Sequence, residues 1–211
     1  MKELIDISIP LKTGMVCWPG SPGFTLTRIM DMEMGDVANG SQINTDVHIG
    51  THIDAPWHSI PNGATIEQLP IDVLIGPAYV LRLPDVSEIT GDILRKTNIP
   101  KGTERLLFHT RNSSIWNSNE MEFRKDFVAL TLDGAEWISK NDIKLVGIDY
   151  LSIQPFGESM EIHNVMLKKG IVIVEGLNLS GVEQGNYELI CLPLRLVGAE
   201  GSPARAVLRR I

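Results

Sequence analysis

One stretch of eleven residues, His48-Ile-Gly-Thr-His52-Ile-Asp54-Ala-Pro-Trp-His58, holds three of the chain's five histidines and an aspartate. Imidazole binds metal and moves protons near neutral pH. A carboxylate among imidazoles adds an oxygen donor and a negative charge. His48, His52, Asp54 and His58 share one sequence parity, so in a strand they would share one face. An extended chain rises roughly 3.3 Å per residue, which would hold His48 and His52 about 13 Å apart. Donors to one zinc bond at about 2.0–2.2 Å and sit within roughly 4 Å of each other. The chain is therefore expected to bend at Gly50-Thr51, where glycine allows backbone angles closed to other residues. His48, His52 and Asp54 make a nitrogen, nitrogen, oxygen set with a position left open, the pattern of a catalytic rather than a structural ion. Such donors suit zinc, with manganese as the alternative.

The segments around this stretch read as a mixed α/β chain with more strands than helices. Strands are expected at Leu4–Ile9, Tyr79–Leu83, Leu106–Thr110, Leu145–Ile148, Ile171–Glu175, Leu189–Leu192 and Ala204–Leu208, and Ile43–Ile53 reads as a strand entering a loop. Ile71–Leu74 reads as a helical turn or a plain turn. Gly134–Asn141 reads as a helix with Asp133 as its N-cap. Ser159–Lys169 reads as a helix closed by Gly170, with Lys168 and Lys169 at its negative end. Asn112 to Glu120 reads as a long surface loop, in which Asn112, Ser113 and Ser114 act as capping residues. No repeat or linker divides the chain, so one domain over residues 1–211 is expected.

Composition narrows the function. The 211 residues suffice for one large core, and 43% hydrophobic with 21% charged residues is ordinary for a globular protein. Nineteen basic against 26 acidic residues give a formal charge of -7, which argues against nucleic-acid or anionic-membrane partners. Cys17 and Cys191 form no CxxC pair and no sulfur-rich metal site. Cys17 and His109 read as packing and strand-end residues respectively. There is no apolar run long enough for a span and no signal-peptide core, so a cytoplasmic protein is expected.

His163 falls on the expected helix at 159–169, and Glu175 ends an apolar strand. Alone, Glu175 reads as a strand-end glutamate in solvent; buried, it would need a partner or an ion. The segment His48–His58 resembles the HxGTHxDxPxH signature of the cyclase-like metal-dependent hydrolases, whose best understood members are bacterial kynurenine formamidases. Asp6-Ile-Ser-Ile-Pro-Leu with Trp18-Pro-Gly resembles the family's opening. Arg111-Asn-Ser with Trp116 and Phe127-Val-Ala-Leu-Thr resemble its middle. Glu175-Gly-Leu-Asn-Leu and Leu192-Pro-Leu-Arg-Leu-Val-Gly-Ala-Glu-Gly-Ser-Pro-Ala-Arg-Ala resemble its end.

The resemblance implies a swivelling β/β/α-type fold, a barrel-like mixed sheet with flanking helices, assembled as homodimers or homotetramers. It implies two divalent ions, one on His48, His52 and Asp54, the other on Asp54, His163 and Glu175. It makes His58 the catalytic proton donor and acceptor and Trp18 a wall of the substrate pocket. The implied activity is hydrolysis of an amide carbon–nitrogen bond in an aromatic small molecule, as in the arylformamidase step of tryptophan catabolism that releases kynurenine and formate. A cyclic-amide or lactone hydrolase, a cyclase, or a metal-binding module without catalysis are the alternatives. One departure stands out: Ser152-Ile-Gln154-Pro155 carries neutral Gln154 where the formamidases carry an acidic residue.

Overall fold

The computed structural model describes residues 3–118 and 122–211. Ten strands are placed among them: β1 (Leu4–Asp6), β2 (Thr25–Met30), β3 (Gly40–Asn44), β4 (His52–Asp54), β5 (Ile75–Leu83), β6 (Arg105–Thr110), β7 (Leu145–Ile148), β8 (Val172–Glu175), β9 (Gly185–Pro193) and β10 (Gly201–Arg210). Five helices accompany them: α1 (Ile71–Leu74), α2 (Gly91–Lys96), α3 (Ser113–Trp116), α4 (Leu132–Ser139) and α5 (Glu161–Leu167).

Seven strands close into a ring in the order β10-β4-β8-β7-β6-β5-β9, with β9 pairing back to β10 and β1 added outside on β10. The pairs β5–β6, β6–β7 and β7–β8 are parallel. The remaining pairs of the ring are antiparallel. This is the barrel-like mixed sheet that the resemblance implies, and closure removes the exposed edges that an open sheet would carry.

Strand alternation explains the two cores. Val80, Leu107, Leu145, Val174, Ile53, Leu189 and Ala206, one or more from every strand of the ring, meet in the barrel interior. Their sequence neighbours Leu81, Leu106, Phe108, Val146 and Ile173 face outward onto Leu94 of α2, Ala135 and Ile138 of α4, and Ile162 and Met166 of α5. Both faces are covered, which is why β6, β7 and β8 read as continuous apolar runs rather than alternating ones. Because Ile53 points inward, His52 and Asp54 point outward. Glu175 faces the same way, and β4 and β8 register His52 opposite Glu175.

Several expectations are corrected. Ile43–Ile53, read as a strand entering a loop, is the end of β3, the loop 45–51 and then a second strand, β4, that the reading did not separate. β2 and β3 form a hairpin outside the ring, exposed along nearly its whole length; its β-branched residues make a strand but bury nothing. Asp133 does not cap α4, whose N-cap is Thr131. The Asp133 carboxylate instead accepts from the Gly91 N–H at 2.9 Å, tying α4 to α2.

The expected loop from Asn112 contains α3. Asn112 is wholly buried and clasps both backbone groups of Val128, donating to its carbonyl and accepting from its N–H at 2.8 Å each. Ser113 is buried and donates to Asp149 at 2.7 Å. Only these first two residues are drawn into the core by satisfied buried hydrogen bonds; Ser114, Asn117 and Ser118 are exposed, as a surface segment would be. Residues 119–120 of that loop lie outside the described residues. His109 sits near the end of β6, its Nδ1 against the Val182 carbonyl at 2.9 Å. Among the described residues no helix is long and apolar enough to cross a membrane.

Candidate metal centre

The loop 45–51 brings His48 back over β4. Gly50 takes the left-handed conformation, φ 58, at the expected bend. Gly176, just past β8, is also left-handed at φ 68, and a Cβ there would fall on the Gly50 carbonyl oxygen. Two glycines therefore let the loop and the strand end touch backbone to backbone, beside three of the site residues. The Thr51 hydroxyl donates to the Gly176 carbonyl and accepts the Ile9 N–H at 2.8 Å, which locks the crossing. The Asp46 carboxylate accepts the His48 N–H at 3.0 Å. Gly201 of β10 leaves room for the His48 ring, since a Cβ there would meet its Cε1 at 2.7 Å.

The side chains converge on Asp54. His48 Nδ1 lies 2.8 Å from Asp54 Oδ1, and His52 Nε2 lies 3.6 Å from the same oxygen. His163, carried by α5, places Nε2 3.6 Å from Asp54 Oδ2 and 3.2 Å from Glu175 Oε1. His52 Nε2 is 3.4 Å from Glu175 Oε2. His58, on the 3-10 turn Pro56–His58, lies tilted against the His48 ring, centroids 4.2 Å apart, and edge-on to the His163 ring at 5.7 Å. Two donor groups tight enough for an ion result: His52 with Asp54 and Glu175, and His48 with Asp54 and His58. Asp54 belongs to both. The geometry thus joins His52 to Glu175 more closely than to His48, and brings His58 within ligand reach.

His52 and His163 are each oriented by the other ring nitrogen. His52 Nδ1–H donates to the Gly50 carbonyl at 2.9 Å, turning Nε2 toward the carboxylates. His163 Nδ1 lies 2.7 Å from Gln154 Oε1. Partners of this kind fix the ring and tautomer of a metal-binding histidine. His48 instead turns Nδ1 to Asp54, and its Nε2 has no hydrogen-bond partner, the Glu200 carboxylate lying 3.7 Å away. Gln154 was read from the sequence only as a departure from the formamidases; its contact with His163 comes from the fold.

A divalent ion fits these residues. His48 Nε2, His52 Nε2 and Asp54 Oδ2 are buried without a hydrogen-bond partner, an expensive condition that a bound ion relieves. Asp54 and Glu175 are both buried, two like charges at close quarters. Burial opposes both charges, yet the surrounding imidazoles hold the Asp54 carboxyl well below its ordinary range and the Glu175 carboxyl lowered. Burial likewise opposes charge on His52 and His163, but the facing carboxylates outweigh it and push each imidazole up to about 9. Without an ion, two protons do the neutralising that a cation would do. His58 differs: burial lowers its pKa, leaving the ring neutral and ready to accept a proton.

Trp18 lies in another cluster, edge-on to Phe123 at 5.1 Å and tilted against Phe156 at 5.4 Å. Phe156 follows Gln154 by two residues, so the aromatic cluster and the orientation of His163 share one short segment. Cys17 is half-buried beside Phe24 and Ile49, a packing position.

Residues 5–155 match the family model described as putative cyclase. Cyclase-like protein 1 of Arabidopsis thaliana is 41% identical over 215 residues, covering 98% of this chain and 84% of that protein. Kynurenine formamidase of Bacillus cereus is 37% identical over 210 residues, covering 99% of this chain and 98% of that one. A solved structure of a predicted metal-dependent hydrolase from Bacillus stearothermophilus superposes with a TM-score of 0.85 at 34% identity, covering 99% of this chain and 98% of the other. The family match and the 41% identity over nearly the whole chain place it: the chain belongs to the Cyclase family.

Proposed function

We propose that this chain is a metal-dependent hydrolase of a small amide, with an aromatic N-formyl amine such as N-formylkynurenine as its leading substrate class. One observation carries the reading: a single buried carboxylate, Asp54, is shared by two donor groups and lies within reach of His58. His48, His52, Asp54, His163 and Glu175 would hold two divalent ions, with zinc the first expectation and manganese the second. Bound there, the ions would supply Lewis-acid activation of a water and of the substrate carbonyl.

The chain's own residues do the rest. His58 takes the proton of the attacking water and returns it to the departing nitrogen, so formamide and water become formate and amine. His48, packed 4.2 Å from it, holds the ring in place. Trp18, with Phe123 and Phe156, offers aromatic edges and faces for an aryl group. Gln154 is engaged with His163 on the side of that ring away from the carboxylates, so its neutrality bears on the histidine and leaves the aromatic reading intact. Leu26, Ile29 and Ile43, exposed on the β2–β3 hairpin, support assembly with further copies as a homodimer or homotetramer.

The test is a panel of N-formylkynurenine, isatin and a simple lactone, each with and without chelator. Chelator-sensitive release of formate, fastest among the three, is the expected result. Chelator-sensitive opening of isatin or the lactone alone would replace the substrate class. No chelator-sensitive turnover of any of them would overturn the hydrolase reading.

A further inference from the structure

We propose that Gln154 is a positioning residue of the centre, one that fixes His163 as the Nδ1–H tautomer and so presents its Nε2 to the ion shared with Glu175 and Asp54. The inference rests on the metal-dependent reading above.

The segment Ile153-Gln154 touches two of the site residues at once. The Ile153 N–H donates to Glu175 Oε1 at 2.7 Å. The Gln154 side-chain oxygen faces His163 Nδ1 at 2.7 Å. One dipeptide thus sets the direction of both a carboxylate and an imidazole. The segment is itself held: the Ile153 carbonyl accepts the Leu130 N–H at 2.8 Å, and the Ile153 side chain is buried in the outer core.

The amide is held the right way round. Gln154 is buried, and its Nε2 donates to the Glu158 carbonyl at 3.3 Å. Reversing the amide would set its carbonyl oxygen against the Glu158 carbonyl oxygen and lose that hydrogen bond. The oxygen therefore stays on His163, and an oxygen can only accept. With Nδ1 as donor, the lone pair of the neutral ring is on Nε2, the atom 3.2 Å from Glu175 Oε1 and 3.6 Å from Asp54 Oδ2. An amide achieves this without adding a third buried negative charge to Asp54 and Glu175.

The experiment is calorimetric titration of Zn2+ alone into metal-free wild type, Gln154→Leu and Gln154→Glu. Wild type is expected to take two equivalents. Gln154→Leu is expected to weaken one of the two by about 10–100-fold, because Nδ1 loses its acceptor and the ring its direction. Gln154→Glu, which keeps an acceptor in place, is expected to retain both. Unchanged affinities in Gln154→Leu would overturn the proposal while leaving the metal centre standing, and so would equal weakening in Gln154→Glu. Absence of zinc binding by wild type would overturn the metal-dependent reading itself, and the proposal with it. Should Gln154→Leu fail to fold, nitrogen-15 spectra of the zinc-loaded wild type decide: a His163 proton on Nδ1 supports the proposal, and one on Nε2 overturns it.

Discussion

Stripped of divalent ions, the protein is expected to lose stability as the pH climbs from about 6.5 toward 9. In the folded chain His52 and His163 are pushed up to about 9, against an ordinary value near 6.5. A raised folded-state pKa means that the native state binds the proton more tightly than the unfolded chain. The resulting stability is fully present below about pH 6.5 and is lost as the pH rises through the folded value. For each imidazole this is on the order of 3 kcal/mol, and with both titrating the slope reaches roughly 2.7 kcal/mol per pH unit. The lowered carboxyls of Asp54 and Glu175 act in another window: their contribution is present above about pH 4 and is lost as the pH falls through their folded values. The assay is urea unfolding at four pH values between about 6.5 and 9.5, with chelator and then with zinc in excess. Zinc should flatten the slope, since an ion replaces the protons. The double variant His52→Gln with His163→Gln should flatten it in chelator. A metal-free protein whose stability is level or rising across that range would refute the charge balance described for the centre.

Two further outcomes follow from the same geometry. His58→Ala is expected to keep its zinc content while turnover falls by at least about 100-fold, the usual share of a general acid–base group; a variant that loses zinc would show that His58 is a ligand, as its distance to Asp54 and His48 permits. Gly176→Ala is expected to cost more than about 2 kcal/mol in denaturant unfolding, from the left-handed backbone and the collision with the Gly50 carbonyl. A cost under about 0.5 kcal/mol there would mean that the crossing of loop and strand end is not held as described.

Much of the centre was legible because its residues are adjacent in the chain. The donors from His48 to His58 occupy one short segment, and the bend their spacing demanded is made by Gly50. The strands β6, β7 and β8 were legible as well, since sheets covered on both faces need unbroken apolar runs. What escaped reading depends on contacts between distant segments. Asn112 and Ser113 look like loop residues until Val128 and Asp149 supply their partners. Within Ile43–Ile53 the loop was legible but the second strand, β4, was not, because its three residues are set by pairing with β8 and β10. Gln154 was visible as a departure from the formamidases, but its hold on His163 spans nine residues and a helix start. The closing of the sheet was implied by the resemblance and is a property of the β9–β10 pairing that no single segment announces.

The most direct measurement is the zinc content, after equilibrium dialysis, of wild type beside Asp54→Ala. Because Asp54 belongs to both donor groups, wild type should hold two equivalents and the variant should lose both. Wild type without zinc, or a variant that keeps two equivalents, would contradict a centre built around one shared carboxylate.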